Sequence, residues 1–357
     1  MTKKALIAMS GGVDSTVAAY LIKEQGYDCI GVTMKLYSNE DIGHHSRSCC
    51  SLDDVDDARR VAHHLGIPYY VFNFSTDFKH QVMQRFAEAY ENGITPNPCI
   101  DCNRYLKFDR LFHRAEELGI PFIATGHYAQ IEKKDDRFLL KKAIDPKKDQ
   151  SYVLYSMTQR ELAHTLFPLG KMHKTDTRKI AEEQGFYNAE KPDSQDICFV
   201  PNGNYASFIR QFTGKDYPCG NFTDTKGNIL GRHKGIISYT VGQRKGLGVA
   251  SNTPLYVTEI CPDENRIILG KNEELFHTEL YAENFNFIAF SSPPKKFRAK
   301  AKIRYRQDEQ WATVTVINEG RVHVRFDEAQ RAITKGQACV LYDNDIVIGG
   351  GIITEIR

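Results

Sequence analysis

Over the first 130 residues, short apolar runs alternate with longer stretches whose apolar positions recur every three or four residues. The run Ala5-Leu6-Ile7-Ala8-Met9 has strand length, and a helical stretch over 16–22 follows closely behind Ser10-Gly11-Gly12. Further strands are predicted at 29–34, 69–74 and 121–126. Helices are predicted at 53–65, 78–91 and 103–118, the last closed by Gly119. Within 78–91, Phe78, Val82, Phe86 and Ala89 fall near helical spacing. Such alternation predicts an α/β parallel sheet with helices on both faces, binding ligands at the C-terminal strand ends. The loop 10–15, Met34 and Gly126-His127 all fall there.

Beyond residue 130 the pattern changes. A charged hairpin (130–143) leads to helical stretches near 158–166 and 175–184. From about 210, glycines and β-branched residues dominate, and 311–317 and 321–326 alternate as strands do. Pro293-Pro294 interrupts this region, which fits a small antiparallel β-barrel. Three domains are expected: 1–205, with a helical insertion at about 158–187; a small mixed central domain, 206–278; and a barrel, 279–357.

Composition narrows the class only a little. The chain is 41% hydrophobic and 26% charged, without a low-complexity tract or an apolar run of membrane-spanning length. A strand starting almost at residue 1 leaves no room for a signal peptide, so a cytoplasmic location is expected. Nine cysteines in that setting favour metal-binding or reactive thiols over a disulfide framework. The net charge of +2 excludes no partner.

The loop behind the first strand carries the sharpest chemistry. Gly11 and Gly12 let backbone N–H groups approach a ligand, and Asp14 or Ser15 can cap the helix. A glycine loop at a helix N-terminus favours an anion. No Gly-Lys-Ser/Thr follows, so this is not a Walker loop. Ser10-Gly11-Gly12-Val13-Asp14-Ser15 resembles the SGGxDS loop of the ATP pyrophosphatases, which grips the diphosphate of ATP during AMP transfer.

Three cysteines stand out. Cys99 and Cys102 lie in the proline-rich 95–103, with Cys102 at the predicted helix start, where the terminal field lowers a thiol pKa. Cys198 lies in the polar stretch 193–199. A lone CxxC is a weak metal signal without a second pair. Cys49-Cys50 are awkward for joint chelation, and Cys29, Cys219, Cys261 and Cys339 read as packing residues. Spacing alone leaves the roles of Cys102 and Cys198 open.

The ordered set SGGVDS (10–15), TPNPCIDCN (95–103) with Lys107-Phe108, ATGHYA (124–129), KDQSYVLY (148–155) and DSQDICF (193–199) is similar to the tRNA-specific 2-thiouridylase (MnmA/TrmU) family. The stretch 239–246 and Gly336-Gln337 match as well, so the similarity covers essentially the whole chain. It implies an adenine nucleotide alpha hydrolase-like ATP-pyrophosphatase domain, a central domain and an RNA-binding barrel. It also implies ATP-dependent 2-thiolation of the wobble uridine of tRNA, through an adenylated uridine and a cysteine persulfide. ATP with Mg2+ is the implied cofactor, held by Ala8, Met9, Ser10, Gly11, Gly12, Val13, Asp14, Ser15, Met34 and Gly126. Cys198 matches the persulfide carrier and Cys102 the second nucleophile, with sulfur coming from a donor protein. The enzyme is expected to be a monomer when free.

The common family form has Asp where this chain has Cys99, and Asp101 is displaced by two positions. Cys99, Cys102 and Cys198 would alternatively supply three thiolates to an iron–sulfur cluster. Both routes stay open at this point.

For RNA, the stretch 295–306 is dense in cations and has no acid. On a continuous strand Arg298, Lys300, Lys302, Arg304 and Arg306 share one face, and Phe297, Ile303 and Tyr305 the other. The alternative is a solvated edge strand. The resemblance implies tRNA contacts at His127, Lys148, Asp149, Gln150, Arg304, Tyr305 and Gln337, with Asn97, Pro98 and Cys99 around the target base, which must leave its stack. His127 could instead be charged on a phosphate, or a general acid. The rival readings are another AMP-forming ligase, which gives the cysteines no role, and an RNA-binding protein with a structural CxxC metal site and a vestigial loop. Intact Ser10, Asp14 and Ser15 speak against decay.

Overall fold

The computed structural model describes residues 3–37, 52–193, 196–200 and 203–357. Cys49 and Cys50 lie outside them, as do Ser194 and Gln195. The first domain contributes β1 (Lys4–Ala8), β2 (Asp28–Lys35), β3 (Tyr69–Asn73), β4 (Phe122–Ala124), the hairpin β5 (Ala129–Lys134) and β6 (Arg137–Lys142), and β7 (Thr165–Leu166). β1–β4 and β7 form a parallel sheet in the order β3-β2-β1-β4-β7. β1 is central and buried on both faces, which is why its residues are apolar without alternation. Ala5 and Ile7 pack under the helix Val13–Glu24, while Leu6 packs against the helical stretch 98–117.

The stretch 158–166 departs from the helix expected there. The helix stops at Ala163, and β-branched Thr165 pairs with Ile123, so β7 extends the parallel sheet. The charged hairpin also has an unforeseen partner: β6 pairs with the last strand of the chain rather than with the parallel sheet.

The middle segment forms a small sheet of β8 (Gly220–Thr223), β9 (Ile229–His233), β10 (Tyr256–Cys261) and β11 (Arg266–Gly270), in the order β10-β11-β8-β9. The last six strands are β12 (Phe276–Phe287), β13 (Lys296–Lys302), β14 (Gln310–Asn318), β15 (Arg321–Arg331), β16 (Ala338–Asp343) and β17 (Ile346–Ile356). They run antiparallel, and pairing of β12 with β17 closes them into a six-stranded barrel.

Two cores weld these parts together. One unites Leu6, Phe108 and Tyr152 with Ile288, Val340 and Val347, joining the parallel sheet to the barrel. The other gathers Phe78, Phe86, Phe199, Phe208 and Phe222 between the helical stretch 75–91 and the middle sheet. Among the described residues, no helix is long and apolar enough to cross a membrane.

Candidate active site

The loop between β1 and the first helix sits where the parallel sheet opens. Gly11 takes φ +75°, and a side chain there would strike the Asp54 backbone at 2.5 Å, so only glycine fits. The expected side-chain cap is absent: Gly12 is the N-cap. Ser15 Oγ donates back to the Gly12 carbonyl (2.9 Å) and accepts from the Ser10 amide (3.1 Å), tying the loop into a ring. Asp14 turns away, accepting from Lys174 Nζ at 2.6 Å and from Tyr128 Oη at 2.8 Å. The helix therefore opens without a side-chain acceptor on its first amides, the arrangement that seats an anion. From the next strand end, Gly126 packs so closely on Asp14-Ser15 that a Cβ would lie 2.8 Å from their backbone.

A cavity of about 350 Å³ opens beside this loop. Ala8, Met9, Ser10, Asp14 and Ser15 line one wall, with Met34 and Gly126 adjoining. Pro98, Cys99, Cys102, Asn103 and Lys107 come from the helical stretch 98–117, and Asp196, Ile197 and Cys198 from the segment after residue 195. The two cysteines expected to exchange sulfur, 96 positions apart in the chain, thus face one chamber.

Each cysteine is placed by its local sequence. Pro98 occupies the first helical turn, and Asn97 caps it by accepting from the Cys99 amide at 3.2 Å. The helix thus begins five residues earlier than expected, and Cys102 lies one turn inside it. A π turn over Cys102–Arg110 follows, and its wide winding puts Cys102 and Lys107, five apart, on the same wall. The expected depressed thiol pKa does not hold. Burial pushes the Cys102 thiol up to about 11; Lys107 opposes the rise, while Cys99 and Asp101 add to it. Cys198 is fixed through its neighbour Phe199, whose ring is 5.6 Å from Phe78, 5.3 Å from Phe86 and 5.0 Å from Phe208. Tyr37 Oη donates to the Cys198 carbonyl at 2.6 Å.

His127 is buried on the same wall. Its Nδ1 is 2.7 Å from Thr125 Oγ1 and its Nε2 3.4 Å from Lys107 Nζ. Since the ammonium can only donate, Nε2 accepts and the ring is neutral. Burial, then Lys107, hold its pKa well below 6.5, so the charged imidazole considered above is not formed. The unfolded chain protonates this histidine near pH 6.5 and the folded site does not. Stability present above pH 6.5 is therefore lost as pH falls below it. The urea midpoint should drop between about pH 7 and 5, and His127→Gln should flatten that slope; equal slopes would exonerate His127.

Other predicted positions lie elsewhere. Asn97 and Asp101 line a separate cavity of about 140 Å³ with Arg85 and Gly336, so Asp101 does not replace the carboxylate expected at position 99. Burial raises the Asp101 pKa, with Arg85 and Arg104 opposing. Gln337 Nε2 donates to the Thr95 carbonyl at 2.8 Å, bracing the proline-rich loop from the barrel. β13 ends at Lys302, and the alternation expected through Arg306 breaks there. Arg304 turns inward, its Nη2 donating to the Ala332 carbonyl (2.9 Å) and Thr334 Oγ1 (2.6 Å), while Lys302, Tyr305 and Arg306 share one cavity. Arg298 is paired with Asp327. Lys148 pairs with Asp193 at 2.6 Å; Asp149 accepts from Ser151 Oγ at 2.8 Å, and Gln150 Oε1 from the Tyr128 amide at 2.9 Å.

Lys107 was quoted in the motif set but given no role, and Asn103 and Asp196 were not singled out; only their place beside the cysteines hinted at them. Lys174 was missed entirely, though it bridges Asp14 to Asp193 (2.6 and 2.7 Å). Among the described residues, no group of three or more His, Cys, Asp or Glu is placed to hold a metal ion. Cys99, Cys102 and Cys198 share a chamber but are not grouped as a ligand set among the described residues.

Comparison with known proteins bears on this geometry. Residues 3–202 match the family described as tRNA methyl transferase HUP domain, 206–271 its PRC-barrel domain, and 277–353 an aminomethyltransferase beta-barrel domain. The chain is 52% identical over 357 residues to tRNA-specific 2-thiouridylase MnmA of Clostridioides difficile (strain 630), covering 99% of each. It is 51% identical to the protein of the same name from Clostridium beijerinckii, covering 100% of each. A 4-thiouridine synthetase in complex with RNA and ATP aligns at 19% identity and TM-score 0.37, over 56% of this chain and 46% of that one.

Proposed function

Because this chain belongs to the tRNA-specific 2-thiouridylase family, and so is an ATP-using tRNA-uridine 2-sulfurtransferase, we propose that its cavity joins adenylation and sulfur transfer at the wobble uridine. The observation that carries this reading is the shared chamber of the phosphate-loop residues, Cys102 and Cys198. Uridine O2 attacks the α-phosphorus of ATP and diphosphate leaves. Ser10, Gly11, Gly12, Val13, Asp14 and Ser15 hold the phosphates, with Met34 and Gly126 on the nucleoside side. Mg2+ would neutralise phosphate charge.

A donor protein leaves a persulfide on Cys198. Its terminal sulfur attacks C2 of the adenylated uridine, and AMP departs as the C2–O bond breaks. Cys102 then attacks Cys198 Sγ, breaking the S–S bond to the transferred sulfur and leaving a Cys102–Cys198 disulfide that an external thiol reduces. Lys107, on the same wall, favours the Cys102 thiolate that this attack needs. Pro98 and Cys99 abut the extruded base. Lys148, Gln150, Tyr305 and His127 contact the tRNA nearby, while Asn97, Asp149, Arg304 and Gln337 hold these contacts from behind. A reaction on tRNA and ATP supports a cytoplasmic location.

Incubation with tRNA, ATP and a persulfide donor, followed by nucleoside analysis, should give 2-thiouridine at the wobble position with one AMP per sulfur. ATP turnover without 2-thiouridine, or thiolation elsewhere in the tRNA, refutes the proposal.

A further inference from the structure

The stretch 239–246 of the middle domain has no part in the chamber described above, yet its backbone is closely braced. Gly242 (φ +88°) and Gly246 (φ +78°) turn the chain. The Thr240 amide donates to Gln243 Oε1 at 3.1 Å, and Gln243 Nε2 donates to the Lys245 carbonyl at 3.0 Å. Two backbone bonds, of 2.8 and 2.9 Å, tie Gly242 and Gln243 to Val257 of β10. Between the glycines stand Arg244 and Lys245, both exposed, whose side chains make no ion pair or hydrogen bond among the described residues.

This turn is joined to the mouth of the chamber through the barrel. At Gly242 a Cβ would lie 2.9 Å from that of Ala332, so the turn packs flush on the connection between β15 and β16. Arg304, turned inward, holds that contact: its Nη2 donates to the Ala332 carbonyl and Thr334 Oγ1, and lies 3.4 Å from the Val241 carbonyl. The same connection then meets the proline-rich loop. The Thr95 amide donates to the Lys335 carbonyl at 3.1 Å, and Gln337 donates to the Thr95 carbonyl. Pro98 and Cys99, which follow that loop, line the chamber. Along this path Arg331 and Lys335 are also exposed and make no ion pair among the described residues; Arg331 lies over the Tyr256 ring and donates to Asn272 Oδ1. A cation kept for solubility alone needs no such bracing. Cations already set in place bind a polyanion without first ordering the backbone that carries them.

We infer that Arg244 and Lys245 contact phosphates of the RNA strand flanking the uridine that enters the chamber, which gives the middle domain a part in holding tRNA. The inference rests on the reading above, in which the base enters past Pro98 and Cys99. It also gives Arg304 its place: bonded to Ala332 and Thr334, it acts on RNA through this turn. Gln243, whose amide is engaged inside the turn, is not available to read a base edge. The contact is therefore to the sugar–phosphate backbone and is indifferent to sequence.

Binding of a fluorescently labelled substrate tRNA, followed by anisotropy over a salt series without ATP, reads the contact. Arg244→Gln and Lys245→Gln should each weaken binding roughly three- to tenfold near physiological salt, and lower the slope of log affinity against log salt by about one. The double variant should lower it by about two, with ATP affinity at the wild-type value. Lys226→Gln, in the turn between β8 and β9 of the same domain, should change neither affinity nor slope. Wild-type slopes in both single variants overturn the inference. So does an equal loss in Lys226→Gln, which would mean that only the overall charge is sensed. Unchanged tRNA affinity with a loss of thiolation from a protein sulfur donor overturns it too, and gives these cations to the donor. A wild-type protein that binds no tRNA refutes the reading on which the inference rests.

Discussion

Replacing either Cys102 or Cys198 by serine should cut 2-thiouridine formation roughly a thousand-fold or more, the scale expected when a covalent nucleophile is removed. A serine hydroxyl fills nearly the same space, so the fold and the cavity should persist. The two variants should differ in what accumulates. With Cys198→Ser no persulfide forms, and RNA-dependent release of AMP into solution should be slow. With Cys102→Ser the persulfide still forms on Cys198, and mass spectrometry after loading should find one extra sulfur there. Full thiolation by Cys198→Ser would remove its assignment as carrier. An extra sulfur on Cys102 in the wild type, with none on Cys198, would reverse the two roles.

Phe199→Ala is expected to carry the largest cost in stability. The ring is 1% exposed and meets three other phenylalanines, so its loss leaves a cavity between the helical stretch 75–91 and the middle domain. Such truncations cost about 3–5 kcal/mol, and neighbouring rings of this size can collapse only partly into the gap. A urea or thermal melt should show it. Because Phe199 adjoins Cys198, thiolation should fall more steeply than the folded fraction. Phe199→Leu should recover much of the stability, and the degree to which it recovers activity measures how tightly the thiol must be placed. Activity that tracks only the folded fraction would mean that Cys198 needs no anchor.

Strand–helix alternation made the parallel sheet legible, because β1 and β2 are continuous apolar runs bounded by glycine and polar residues. The barrel was legible from the period-two pattern of β14 and β15. Long-range pairings were not. Nothing local in Arg137–Lys142 announces that β6 will add to β17, and Thr165-Leu166 is too short to show a period. The site was legible wherever backbone conformation dictates sequence, as at Gly11 and Gly126, where a side chain would collide with neighbouring backbone. It was misread where function depends on winding or burial. The π winding after Asp101 brings Lys107 round to the wall of Cys102, and burial of Cys102 reverses the thiol shift inferred from a helix start. Arg304 looked like one of a row of exposed cations until the end of β13 turned it inward.

The pairing of β6 with β17 has a consequence for how the protein is made. β17 is the last strand of the chain, and it completes both the hairpin edge of the first domain and the closure of the barrel. A nascent polypeptide therefore leaves this hairpin edge uncovered until β17 has been made. Until then the hairpin edge and the apolar surface later covered by Val340 and Val347 stay open to solvent and to self-association. Separating the halves at the gene level would leave the hairpin edge of the first without its covering strand.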